Sequence, residues 1–223
     1  MTNDGKNSNI RCVILDFDGT IGDTRQLIVE TMQQTIAELH LPERTDDECA
    51  AMIGLPLRQT FTDLIPMTEE MGDRCVEVYR RLFEVNNKPG VVPMFPNVMS
   101  VIETLHRRGL LLTIASSRLR KSLVEFLEQM DLCRYIPYVI SVGDVEHAKP
   151  EPDMVLKTLK ENNLRPDEAI VVGDTVFDIL MAHNAGVKAV GVTYGNGRRE
   201  ELERVGAEYV IDDFGKLTDI VIG

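Results

Sequence analysis

The sequence predicts a largely parallel α/β sheet with a helical segment inserted after its first strand. Three observations carry that expectation. Short, continuously apolar runs recur along the chain, stretches of helical spacing separate them, and residues 22–88 interrupt the alternation with helical patterns alone. Continuous hydrophobicity marks strands covered on both faces by helices, where strict alternation would mark one wet face. Repeated strand–helix units argue for parallel strands joined by right-handed crossovers, with functional loops beyond the strands' carboxyl ends.

The first strand is Cys12-Val13-Ile14-Leu15, which delivers Asp16. Helical patterns then cover 26–39, Leu57–Leu64 and 69–83, punctuated by Gly54, Pro56 and Pro66. The run Asn86-Asn87-Lys88-Pro89-Gly90 reads as a linker returning the chain to the sheet. The expected organisation is a discontinuous core, 10–21 and 89–223, around a helical domain, 22–88. Extra helices packed directly on the sheet are the alternative. Further strands are expected at 111–115, 139–142, 169–172 and 189–192, with a weaker one at Tyr209–Ile211. Helical spacing fills 98–108, 118–130, 152–162 and 176–185, where Leu123, Phe126, Leu127 and Met130 form one apolar stripe.

The chain has 223 residues, 43% of them hydrophobic, enough for one compact domain or a domain with a smaller insert. Its formal charge of -12 disfavours an extended nucleic-acid surface, so no nucleic-acid partner is expected. A bound cation and a few basic groups would still let it hold an anionic substrate. No apolar run approaches membrane-spanning length. Cys12, Cys49, Cys75 and Cys133 form no CxxC pair and read as reduced thiols of a cytoplasmic protein. The polar start, residues 1–9, is expected to fray.

Chemistry concentrates at the strand ends. Asp16-Phe17-Asp18-Gly19-Thr20 follows the first strand, and its two acids suit Mg²⁺ coordination through hard oxygen ligands, a backbone carbonyl included. Asp16 can attack phosphorus as a carboxylate nucleophile while Asp18 donates and recovers a proton. Val171-Val172-Gly173-Asp174 brings a second carboxylate to the same sheet edge, and Asp178 follows in the first turn of a helix. There Asp178 either supports a metal-bound water or simply complements the helix N-terminus. Ser116 ends another strand, where its hydroxyl and nearby N–H groups can hold a phosphate oxygen or cap a turn. Lys149, before Pro150, can neutralise Asp16 and the transferred phosphate. Gly195-Asn196-Gly197 reads as a flexible turn, with an outer active-site loop as the alternative.

Together these motifs resemble the haloacid dehalogenase-like superfamily of phosphatases. Asp16-Phe17-Asp18-Gly19-Thr20 is similar to its nucleophile motif, Ser116 to its second-loop hydroxyl, and Lys149-Pro150-Glu151-Pro152-Asp153 to its lysine motif. Gly173-Asp174-Thr175-Val176-Phe177-Asp178 is similar to its acidic metal motif. The resemblance implies a Rossmann-like core, Mg²⁺ as cofactor, and a helical cap closing over a small phosphorylated metabolite. It makes Asp16 the nucleophile and Asp18 the acid/base, with Ser116 and Lys149 on the phosphate. Metal coordination falls to Asp16, the Asp18 carbonyl and Asp174, supported by Asp178; Gly19, Thr20 and Ser117 flank the substrate.

Gly54-Leu55-Pro56-Leu57 resembles the substrate-facing cap loop of phosphoglycolate phosphatase-like members, and Arg58 is placed to bind a second anionic group. A solvated helix charge is the other reading of Arg58. The resemblance therefore implies a phosphomonoester hydrolase, with 2-phosphoglycolate, pyrophosphate and sugar phosphates as candidate substrates. A β-phosphoglucomutase-like mutase would need a cap histidine soon after the first motif, and Arg25-Gln26-Leu27-Ile28-Val29 supplies none. A noncatalytic metabolite-binding protein is the remaining alternative. Hinges near Gly22 and between Lys88 and Gly90 would let the cap open and close.

Overall fold

The computed structural model describes residues 9–223, so the expected fraying of residues 1–8 lies outside the described residues. Six strands form one parallel sheet: β1 (Cys12–Leu15), β2 (Leu111–Ser116), β3 (Tyr138–Ser141), β4 (Ala169–Gly173), β5 (Lys188–Val192) and β6 (Tyr209–Ile211). Their order is β3-β2-β1-β4-β5-β6, a Rossmann-like arrangement. The chain builds outward from β1 in both directions, so the strand order reverses beside it. That reversal opens a crevice at the carboxyl ends, the usual ligand position in such sheets. β3 begins one residue earlier than its apolar run. Val142 instead enters a short 3-10 turn, because the Asp144 carboxylate accepts the Ser141 N–H at 2.8 Å and closes the strand there.

Alternation along each strand divides the core into two layers. Val13 and Leu15 of β1, with Ile170 and Val172 of β4, face one side; Cys12 and Ile14, with Ala169 and Val171, face the other. The first side is covered by α5 (Val98–Arg107), α6 (Arg120–Gln129) and α10 (Leu217–Ile222). The second is covered by α7 (Asp153–Glu161), α8 (Val176–Asn184) and α9 (Arg199–Arg204). This two-sided burial is why the strands read as unbroken apolar runs. α9 and α10, six residues each, were too short to announce themselves by periodicity.

Between β1 and α5 the chain forms α1 (Arg25–Glu38), α2 (Asp46–Ala50), α3 (Leu57–Leu64) and α4 (Glu69–Asn86), with no strand. α1 packs on α2 and α4, and α3 packs on α4. The short α2 begins at Thr45, whose hydroxyl accepts the Glu48 N–H while the Glu48 carboxylate accepts the Thr45 N–H. α4 runs to Asn86, which the sequence had placed in the linker. The Asn86 side chain holds it there by donating to Thr31 Oγ1 (3.0 Å) and Gln34 Oε1 (2.9 Å) of α1. Apolar residues of the insert, Met32, Phe61, Tyr79 and Phe83 among them, join the layer on the α5–α6 side of the sheet. Phe83 of α4 meets Phe126 of α6 edge-on at 6.5 Å. No described helix is long and apolar enough to cross a membrane. All four cysteines are free, with only Cys133 exposed.

Candidate active site

Parallel register brings the strand ends level. Leu15 pairs with Ile114 on one side and Val172 on the other, so the loops after β1, β2 and β4 open at one edge. Asp16, immediately after β1, is 5% exposed. The Lys149 ammonium, also buried, donates to Asp16 Oδ1 at 2.6 Å and to Asp178 Oδ1 at 2.7 Å. Burial opposes charge on Lys149, yet its two carboxylate partners hold it protonated, with a pKa raised above the ordinary value. Asp16 is pushed well above the usual carboxylate range, by burial first; Lys149 counters this, while Asp178, Asp174 and Asp18 add to it.

Asp174 immediately follows β4 and is fully buried. Its Oδ2 accepts from the Asn196 backbone N–H (2.7 Å) and side-chain amide (2.9 Å), while Oδ1 has no hydrogen-bond partner. Burial, then Asp178, raises its pKa from 3.8 to about 7 despite the Asn196 hydrogen bonds and Lys149. Asp178 takes the helix N-terminal position the sequence allowed and adds an ion pair. Its Oδ2 accepts from Thr175 N–H and Oγ1 at the start of α8, and its Oδ1 takes the Lys149 ammonium.

Carboxylate oxygens of Asp16, Asp174 and Asp178 lie within 4.8 Å of one another. The Asp18 carboxylate is outside that group. A divalent cation fits the three: they offer hard oxygen donors, and Asp174 Oδ1 is a buried charge-bearing oxygen with no partner, which is costly unless compensated. Four acids, Asp16, Asp18, Asp174 and Asp178, face two cations, Lys149 and Arg118, so the site has room for further positive charge.

Asp18 turns to Arg118, whose Nε lies 2.8 Å from both of its carboxylate oxygens, with Nη2 2.7 Å from Oδ1. The guanidinium is 10% exposed and sits over three rings: Phe126 (4.9 Å), Phe83 (5.1 Å) and Phe17 (5.9 Å). Arg118 was missed in the sequence; the signal was a base two residues after the Ser116 hydroxyl. Ser116 is buried, and its Oγ accepts the Arg118 N–H at 3.2 Å, the turn role its position allowed. Ser117 Oγ donates to the Gly54 carbonyl at 2.6 Å, tying the β2 loop to the insert.

Gly19 is obligatory. Its φ is +81°, and a Cβ would lie 2.1 Å from Asp174 Oδ2. Thr20 is fully buried beside it, and its carbonyl accepts from Tyr194 OH at 3.0 Å. The Gly195-Asn196-Gly197 turn packs against Asp174, in keeping with the active-site-loop alternative rather than a merely flexible turn. Asn196 holds Asp174, and a Cβ on Gly197 would come within 2.0 Å of the Asp174 carbonyl. Arg58 stands apart from the buried group. It pairs with Glu69 and with Asp73 (2.8 Å) on the insert, while still lining the same cavity as Asp16 and Asp18.

The fold is an α/β sheet with four acids gathered at its strand ends. The chain belongs to the haloacid dehalogenase-like hydrolase family, whose model matches residues 13–192. It is 32% identical over 213 residues to "Pyrophosphatase PpaX" of Anoxybacillus flavithermus, covering 96% of this chain and 97% of that protein. It is 31% identical to "Probable phosphatase IndB" of Dickeya dadantii, covering 92% of this chain and 90% of that one. Among solved structures, a hydrolase from Pseudomonas syringae superposes with a TM-score of 0.84 at 26% identity, covering 94% of this chain and 97% of that one.

Proposed function

We propose that this chain is a Mg²⁺-dependent phosphatase of small phosphorylated metabolites, working through an aspartyl phosphate on Asp16. The observation that carries this reading is the buried Asp16–Lys149 pair, at 2.6 Å, set among carboxylates that include the unpartnered Asp174 Oδ1. The phosphatase and pyrophosphatase names of its relatives support it. Asp16, Asp174 and Asp178 would hold the metal together with the Asp18 carbonyl. When bound, the metal supplies positive charge that orients phosphate and lowers its repulsion with the nucleophile.

The chain's own groups then divide the work. Lys149 favours the ionised form of Asp16 against the effect of burial and lies close enough to share its charge with the incoming phosphate. An Asp16 carboxylate oxygen forms the new bond to phosphorus as the bond to the leaving oxygen breaks, and Asp18 gives that oxygen its proton. Asp18, now a carboxylate, takes a proton from water as the water attacks phosphorus. Inorganic phosphate leaves, and Asp16 is regenerated. Ser116 offers its hydroxyl to a phosphate oxygen, while the Ser117 hydroxyl stays on the Gly54 carbonyl at the edge of the site. Residues 22–88 serve as a cap over the core of 10–21 and 89–223, shielding the acyl phosphate between the two steps. Four free thiols suit a cytoplasmic setting.

Phosphate release from a panel of phosphorylated metabolites tests the reading. The wild-type chain with Mg²⁺ should release phosphate, and Asp16→Asn should lose at least about a thousand-fold of that rate while keeping its circular dichroism. No release from any member of the panel would overturn it.

A further inference from the structure

Beyond Asp16 and Asp18 the site widens into a cavity of about 770 Å³ between the insert and the core. That volume matches pockets that bury drug-sized organic ligands and far exceeds a bare diphosphate. Its wall is mainly apolar, with Met52, Leu55 and Leu57 from the insert loop and α3, Tyr79 and Phe83 from α4, and Leu119 from the core. Leu119 is 43% exposed, an apolar side chain left uncovered directly beside Arg118.

The cations lining the cavity are mostly paired with acids that line it too, loosely so for the exposed Lys121. Arg118 holds Asp18, Arg58 holds Glu69 and Asp73, and Lys121 lies 3.9 Å from Glu84 and 4.0 Å from Glu125. Of the lining cations, only Arg80 has no acidic partner among the described residues. A leaving phosphate carries at least two charges and would need several free cations to leave water for such a wall. An apolar alcohol needs none and gains from burial.

Resting on the phosphatase reading above, we propose that the substrate is a phosphomonoester of an alcohol with a mainly apolar body, and that inorganic pyrophosphate is a poor one. The insert wall selects the organic group, and the strand-end acids handle the phosphoryl group common to all candidates. This separates the chain in specificity from its relatives named as pyrophosphatases.

Phosphonates test this without turnover, because their carbon–phosphorus bond is not cleaved. Calorimetric titration of the full Mg²⁺-loaded chain should give Kd values that fall from methylphosphonate through butylphosphonate to hexylphosphonate. The expected fall is roughly two- to four-fold per methylene, four-fold being the equivalent of about 0.8 kcal/mol. Hexylphosphonate should also bind more tightly than methylenediphosphonate, the stand-in for pyrophosphate. Leu57→Asp should weaken hexylphosphonate more than methylphosphonate. A flat series, a tighter methylenediphosphonate, or an equal loss on both compounds in Leu57→Asp would overturn the proposal. Phosphate release from the metabolite panel is read separately, so failure of the hydrolase reading and failure of this specificity are distinguishable.

Discussion

Lys149, buried, and Arg118, partly buried, are two cations with different tasks. Lys149 bridges Asp16 and Asp178, so Lys149→Met leaves two buried carboxylates without their cation. Breaking such a pair costs about 3–5 kcal/mol, and urea unfolding of this variant should show a loss of that order. Arg118 acts on the proposed acid/base, since both oxygens of Asp18 lie against its Nε. Lysine cannot reproduce that fork. Arg118→Lys should therefore slow hydrolysis of alkyl phosphates by about a hundred-fold, the lower end of general-acid effects. It should affect p-nitrophenyl phosphate far less, because that leaving group departs without a proton. Equal losses on both esters would show that Arg118 does not position the acid. At this scale the sequence was most legible where a strand ends in an acid: Asp16 and Asp174 could be read directly. Arg118 and Asn196 could not, because their importance lies in partners about 100 and 22 residues away.

Elements were legible in proportion to their burial and length. β1 and β4 are buried along their whole length and appear as unbroken apolar runs, whereas Tyr209 on the edge strand β6 is exposed and gave only a weak signal. α2, α9 and α10, of five or six residues, offer less than two turns in which a period can repeat. The end of α4 was misplaced because Asn86 and Asn87 look like turn residues, while Asn86 is fixed by side-chain bonds to α1 that no local pattern reveals. α4 also carries an aromatic contact between insert and core. Phe83 stacks on Tyr79 at 5.8 Å, meets Phe126 edge-on and covers the Arg118 guanidinium. Phe83→Ala should cost about 3–5 kcal/mol, read from the denaturation midpoint and slope. A loss below about 1 kcal/mol would mean that the insert does not depend on this seam.

For the whole molecule, the acid cluster couples folding to pH. Asp174 titrates near 7 when folded, against 3.8 for an ordinary carboxyl, so between those values the folded chain binds a proton that the unfolded chain lacks. The unfolded state then binds fewer protons, and stability falls as pH rises from about 4 to about 7. Asp16, raised in the same direction, adds to this fall. Chelator-treated protein should show a melting temperature that declines across this window, and Mg²⁺ should recover stability most at neutral pH and above, where the acids are ionised. A metal-free melting temperature that climbs over the same range would contradict the buried cluster. The central claim, that Asp16 carries the phosphoryl group, is tested most directly by an acid-quenched single turnover with a labelled phosphomonoester, followed by peptide mapping. An acid-stable, base-labile label is expected on the peptide containing Asp16, and none in Asp16→Asn. Label on another residue, or its persistence in Asp16→Asn, would contradict it.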